Sequence, residues 1–218
     1  MSSPSDPVPH LRPGGWLNTL ALFGSAPPPE NTRALLQRLG VPQAGLKVVL
    51  VAGTNGKGST AKLLADCLRA AGRDVGLFVS PHLQDVSERI VVNGSAASDL
   101  EATLEALRPA ACEQGSTFFE VLTAAAVLTF ARAGVEWAVM EVGIGGRLDP
   151  TNALEPELSL ITKIALDHQA ILGDDLESIA LEKAGVMRPG KLTLTSADGP
   201  GLKALRISAA RTGAELGV

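Results

Sequence analysis

The chain has 218 residues, 45% of them hydrophobic, 19% charged and only 3% aromatic. That apolar share can build the core of one large domain or two small ones, which excludes a disordered or fibrous chain. Lys and Arg number 19 against 23 Asp and Glu, a net charge of −4 with no basic block, so affinity for nucleic acid or a membrane surface through a cationic face is excluded as well.

The first residues, MSSPSDPVPHLRPGG, lack the apolar core of a signal peptide and read as a flexible lead-in over residues 1–15. Pro27-Pro28-Pro29 marks a break before a helix over 31–39, and Gly40-Val41-Pro42 leads to the run LKVVLVA at 46–52. A short β-branched run that ends at glycine predicts a buried strand. Residues 59–71 follow as a helix, with Leu63, Leu64, Cys67 and Leu68 at helical spacing and Gly72 as its cap. A strand over 74–79 precedes helices over 100–112 and 120–133, the second apolar nearly all round and therefore interior. Strands over 137–142 and 158–164 flank a Gly-rich loop. An amphipathic helix over 176–186 stops at Arg188-Pro189-Gly190, before a strand at 192–195 and a helix at 201–211. Strands alternating with helices predict an open, mostly parallel α/β sheet with helices on both faces, joined by right-handed crossovers. No apolar run approaches the ~18 residues of a membrane span. Cys67 and Cys112 are too few for a disulfide scaffold or a thiolate zinc site; they are expected to be small buried thiols in a cytoplasmic protein.

Chemistry concentrates in Gly53-Thr54-Asn55-Gly56-Lys57-Gly58-Ser59, between a predicted strand and a predicted helix. Glycines allow backbone N–H groups to turn around phosphate oxygens, and the following helix adds its N-terminal dipole. Lys57 can reach terminal phosphates and the Ser59 hydroxyl can ligate magnesium. The loop departs from G-x-x-x-x-G-K-[ST] by Gly58, inserted between lysine and serine. Three other patches follow predicted strands, at the edge where open α/β sheets gather ligands: Ser80-Pro81-His82, Glu141 before a glycine turn, and Asp167-His168. A hydroxyl, a carboxylate and an imidazole converging on a phosphate loop would make an oxygen-rich magnesium site. Plainer jobs stay open for each: a turn-capping Ser80, a hydrogen-bonded structural histidine, a solvated ion pair.

GTNGKGS (53–59), SPHLQDVSERI (80–90), FFEVLTAAA (118–126), EVGIGGRLDPTN (141–152) and ALDHQAILGDDLESIALEKAGV (165–186) resemble, in order and spacing, the signatures of folylpolyglutamate synthase/dihydrofolate synthase, a branch of the Mur ligase superfamily. The resemblance covers about residues 16 to 195 and implies a Mur-ligase-type ATP-binding domain over 16–218. It implies an ATP- and Mg2+-dependent amide ligase that phosphorylates a carboxylate of dihydropteroate or a folate polyglutamate and joins it to L-glutamate, working as a monomer. Thr54, Asn55, Gly56, Lys57, Gly58 and Ser59 would hold ATP. Ser59, Ser80 and Glu141 would ligate one magnesium; His168, with Lys183 if carbamoylated, would serve a second. Catalytic roles would fall to Lys57, His168 and Lys183. Ser80, His82, Arg89, Thr117, Phe118, Phe119, Glu120, Leu148, Asp149 and Pro150 would face the folate. Against these stand a Lys183 paired on the helix surface with Glu182 or Glu177, core roles for Phe118 and Phe119, and a surface pair of Arg89 with Glu88. The family's chains are longer, with a downstream D-x-A-H-N-P segment and a second domain that binds glutamate. The 218 residues are therefore expected to bind ATP weakly and not to turn over alone. A non-catalytic nucleotide-binding module and a murein-type peptide ligase are the alternatives.

Overall fold

β1 (Lys47–Ala52) is buried continuously from Val48 to Ala52, as a strand covered on both faces must be. It runs parallel to β5 (Trp137–Glu141) on one side and β6 (Pro156–Ile161) on the other. The computed structural model describes residues 15–21, 28–41, 43 and 45–218. The lead-in expected over 1–15 and the first proline of the break at Pro27 lie outside those residues, save Gly15.

The sheet has eight strands in the order β4-β3-β2-β5-β1-β6-β7-β8, with β2 (Val75–Phe78), β7 (Leu192–Thr195) and β8 (Glu215–Gly217) extending the parallel set. β3 (Ile90–Val92) and β4 (Ser95–Ala96) add an antiparallel edge. That edge and β8 are absent from the sequence-based expectation. The edge has a local signal: Asn93-Gly94 joins β3 to β4 with both residues at positive φ (49° and 87°), the two-residue turn that Asn-Gly favours.

The helices are α1 (Pro28–Arg38), α2 (Lys57–Ala70), α3 (Leu100–Gln114), α4 (Phe118–Ala133), α5 (Gln169–Leu172), α6 (Leu176–Ala184) and α7 (Gly199–Thr212). Most match the expected spans to within a few residues; α2 starts two residues earlier, because Lys57 and Gly58 already belong to its first turn. Both faces of the sheet are covered, unequally. α2 lays Ala61 and Ala65 on Val49, Val51, Val75, Leu77 and Val139. The other long helices share the opposite face with Val48, Leu50, Ala52, Phe78, Ala138 and Met140. α4 is interior along most of its length, as its unbroken apolar character predicts. Cys67 and Cys112 are both exposed, which corrects the expectation of buried thiols: each lies on the outer face of its helix. Among the described residues no helix is long and apolar enough to cross a membrane.

Glu120 is a structural residue. It is fully buried and closes a capping box at the start of α4, its Oε2 accepting from the Thr117 amide at 2.5 Å and from Asn31 Nδ2 at 3.0 Å, while Thr117 Oγ1 accepts from the Glu120 amide. It therefore ties α1 to α4 and is not placed to face a folate directly. Thr117→Ala is expected to lower stability by about 1 kcal/mol, read as a lower urea midpoint; an unchanged midpoint would mean that packing alone fixes this helix end.

Candidate active site

β2, β5, β1 and β6 are adjacent and parallel, so their carboxyl ends form one edge. In spatial order that edge carries Ser80, Glu141, the phosphate loop and the segment leading to His168. The chain leaves β1 in one direction to β2 and β5 and in the other to β6 and β7, so the loop after β1 sits at the switch point where such sheets bind ligands.

The loop is set by its backbone. Gly56 is the N-cap of α2 in the left-handed conformation and offers no side-chain cap, so the first-turn N–H groups remain free for an anion. Lys57 Nζ donates to the Thr54 carbonyl at 3.2 Å. A Cβ at Gly58 would lie 3.4 Å from both carboxylate oxygens of Glu141. The inserted glycine thus lets the first turn of α2 rest directly against that carboxylate. Ser59 is exposed.

Two polar groupings flank the loop. On one side, Glu141 is 4% exposed and its Oε2 accepts from the Ser80 amide at 2.7 Å. Burial raises its pKa, partly offset by the Ser80 amide, Lys57 and Arg89. A desolvated carboxylate is a hard oxygen donor of the kind that suits Mg2+. On the other side, Lys183 is 2% exposed and donates to the Gly53 carbonyl at 3.0 Å. Burial, then the like charge of Lys57, lowers its pKa to about 8, opposed by Asp167. The surface-pair alternative for Lys183 fails, since Glu182 pairs with Arg147 instead at 2.8 Å. A lysine partly neutral near pH 8 is chemically competent to capture carbon dioxide. His168 has φ +47°, an unusual value away from glycine, and its Nε2 stands 3.7 Å from Asp167 Oδ2. Among the described residues no three His, Cys, Asp or Glu side chains cluster around one point. Of the five expected metal ligands, Ser80 and Glu141 are in direct contact, and Lys57 is in electrostatic reach of both Glu141 and Lys183.

The loop after β2 is organised by its own acids. Glu88 accepts from the amides of Leu83, Gln84 and Asp85 at 2.8, 2.9 and 2.8 Å, which holds its carboxyl below the usual range. Arg89 pairs with His82 rather than with Glu88: its Nε donates to His82 Nδ1 at 2.8 Å, and its guanidinium lies 5.5 Å over the Phe118 ring. Burial lowers the His82 pKa, with Arg89 adding to the effect. Arg89, His82, Phe118 and Glu141 thus adjoin one another across three elements.

Phe118 and Phe119 are half-buried against the core, and Phe119 meets Phe78 with centroids 5.5 Å apart. The core role is borne out in part, since both rings pack on the core while staying partly exposed. Asp149 is the organiser of the glycine turn. It is 3% exposed, with Oδ2 accepting from Gly143 and Ile144 amides at 2.9 and 3.1 Å, and Oδ1 from the Thr151 amide and hydroxyl at 3.0 and 2.6 Å. Four donors occupy its carboxylate, so it shapes the turn that presents Leu148, which is 47% exposed, while Pro150 is buried. Sequence reasoning missed the Lys183–Gly53 bond and the ties between Thr54 and residues 163–165. These contacts span more than 100 residues of chain and leave no local pattern.

The Mur ligase middle domain model matches residues 51–214. A probable bifunctional folylpolyglutamate synthase/dihydropteroate synthase of Halobacterium salinarum is 45% identical over 84% of the chain, which covers 23% of that relative. The structure of Escherichia coli FolC in complex with DHPP and ADP superposes with a TM-score of 0.86 at 36% identity, over 92% of this chain and 49% of that one. A bifunctional folylpolyglutamate synthase/dihydrofolate synthase of Yersinia pestis, complexed with AMPPNP and Mn ion, gives 0.83 and 37% over 92% and 49%. The chain spans about half the length of these solved structures. With the phosphate loop, the paired flanking groups and three quarters of its residues matched, the chain belongs to the Mur ligase family through its middle domain.

Proposed function

We infer that this chain supplies the nucleotide- and folate-binding half of an ATP-dependent ligase that joins L-glutamate to dihydropteroate or to folate polyglutamates. The observation that carries the reading is the Glu141 carboxylate, held by the Ser80 amide and packed beneath Gly58 at the start of α2. Relatives that share 36–45% identity are named for this chemistry or hold a nucleotide in their structures. The amides of 55–59 and Lys57 would hold the triphosphate, with Thr54 shaping the loop from behind. Ser59, Ser80 and Glu141 would hold one Mg2+, and His168 with carbamoylated Lys183 would serve a second. Bound magnesium would offset the charge that accumulates as the phosphoryl group transfers.

In the first step a substrate carboxylate oxygen attacks the γ-phosphorus and the bond to the β-phosphate oxygen breaks, releasing ADP. The amine of glutamate then attacks the acyl carbon, loses a proton, and phosphate departs. The protein's contribution is to position these groups and exclude water. Phe118, Phe119 and Leu148 offer apolar surface for a pterin ring, and the Arg89–His82 pair lines the approach to Glu141. Thr117, Glu120, Asp149 and Pro150 act by shaping that surface. Two exposed thiols that form no disulfide fit a reducing, cytoplasmic setting, and a monomer is part of the same reading.

Calorimetry of the 218-residue chain tests this. MgADP should bind, and dihydropteroate should change its affinity by about fivefold or more, the size of an ordinary coupling between adjoining sites. Nucleotide binding indifferent to dihydropteroate and tetrahydrofolate would favour a plain nucleotide-binding module and defeat the folate assignment.

A further inference from the structure

Thr54 lies in the phosphate loop, yet its polar atoms are committed elsewhere. Its amide donates to the Lys163 carbonyl at 2.8 Å. Its hydroxyl donates to the Ala165 carbonyl at 3.1 Å and accepts from the Ala165 amide, also at 3.1 Å. Asn55 forms an antiparallel bridge with Lys163, and the Thr162 amide donates to the Ala52 carbonyl at 2.9 Å. From Ala52 to Asn55 the phosphate loop is thus zipped to residues 162–165. The Thr54 hydroxyl is the side chain in this zipper that grips both backbone groups of one residue.

His168 is three residues beyond Ala165. Its carbonyl accepts from the amides of Ile171 and Leu172 at 2.8 and 2.9 Å, so the far end of the segment is fixed by α5. Only Leu166 and Asp167 separate the Thr54 grip from His168, too short a stretch of chain to absorb a shift of the grip. In addition, Lys57 Nζ rests on the Thr54 carbonyl, and an incoming phosphate would compete for that ammonium.

We propose that Thr54 is a positioning residue that couples occupancy of the phosphate loop to the placement of Asp167 and His168. This rests on the loop being a nucleotide site. Thr54 is expected from the sequence among the loop residues that hold ATP; in this reading its hydroxyl instead reads the loop's state and passes it to the segment after β6.

Hydrogen exchange of the 218-residue chain, followed by mass spectrometry with and without MgADP, tests the coupling. In the wild-type chain nucleotide is expected to slow exchange across 164–168 by about fivefold or more, the scale of a modest local stabilisation. Thr54→Val keeps the shape and removes the hydroxyl. It should still bind MgADP, weakened by no more than about tenfold, while the transmitted protection disappears; Thr54→Ser should restore it. If the wild-type chain binds MgADP and exchange at 164–168 is unchanged, the coupling is overturned with no variant needed. If Thr54→Val transmits protection as the wild-type chain does, the hydroxyl has no such role and the proposal also falls. A wild-type chain that binds no nucleotide would overturn both this and the function above.

Discussion

Lys183→Met is expected to raise stability by about 2 kcal/mol at pH 7, although it removes a residue of the proposed site. The ammonium is 2% exposed, makes one hydrogen bond to the Gly53 carbonyl, and sits near Lys57. A pKa lowered from 10.5 to about 8 corresponds to about 3 kcal/mol carried against folding while the group is charged. Methionine removes that cost and forfeits about 1 kcal/mol for the hydrogen bond. The sign with pH follows from a folded pKa below the unfolded one. The penalty is complete below pH 8 and fades as pH rises from about 8 towards 10.5, because the unfolded chain then binds the extra proton. Urea midpoints should therefore differ most near pH 7 and converge towards pH 10. A less stable Lys183→Met chain at pH 7, or a difference that ignores pH, would contradict the account. Near pH 8 about half the amine is neutral, and its nitrogen can attack carbon dioxide and release a proton to give a carbamate. Isotopically labelled bicarbonate should therefore give a carbamate signal in the wild-type chain and none in Lys183→Met. Tolerating a buried, half-neutral lysine is the kind of stability cost that functional sites carry.

Gly53→Ala should cost about 3 kcal/mol and abolish nucleotide binding, whereas Gly56→Ala should cost about 1 kcal/mol. Both glycines have positive φ, 137° and 85°, so backbone strain is common to the two. The difference is space. A Cβ at Gly53 would fall 1.8 Å from Thr162 Oγ1 and 2.9 Å from its Cβ, while nothing lies within 4 Å at Gly56. Thr162 cannot swing away without loss, since its hydroxyl donates to the Ala52 carbonyl at 3.2 Å between paired strands. Relief would require separating the ends of β1 and β6, breaking the Thr54–Lys163 and Lys183–Gly53 bonds together. Thermal unfolding and MgADP titration of the two variants side by side would read this. Equal losses in both would mean that strain, not the close approach of two backbones, sets the cost.

Much of the architecture was legible because it rests on short-range patterns. The run before Gly53 reads as a strand because it is short, rich in β-branched residues and ends at glycine, and α4 reads as interior because its apolar character is unbroken over a much longer stretch. The antiparallel edge went unread although Asn93-Gly94 marks it, since β3 and β4 together are only five residues. The site was legible as a set of residues but not as an arrangement. Which carboxylates shape the protein and which face the cleft depends on donors brought by other segments. Asp149 has both oxygens engaged by its own turn and Glu120 is buried with one oxygen held by Thr117 and Asn31, whereas Glu141 holds one amide and stays near cations. Periodicity carries no trace of that distinction.

Ala61 and Ala65 are the buried residues through which α2 meets its face of the sheet. Their single methyl groups set the thickness of that layer, and the same helix begins with the amides that would meet a phosphate. A larger side chain at either position would do more than crowd a core: it would lift or tilt the whole helix and carry its first turn off Glu141. Anion recognition at one end of α2 is in this sense a tolerance dimension, fixed one and two turns away by the smallest side chains that still pack.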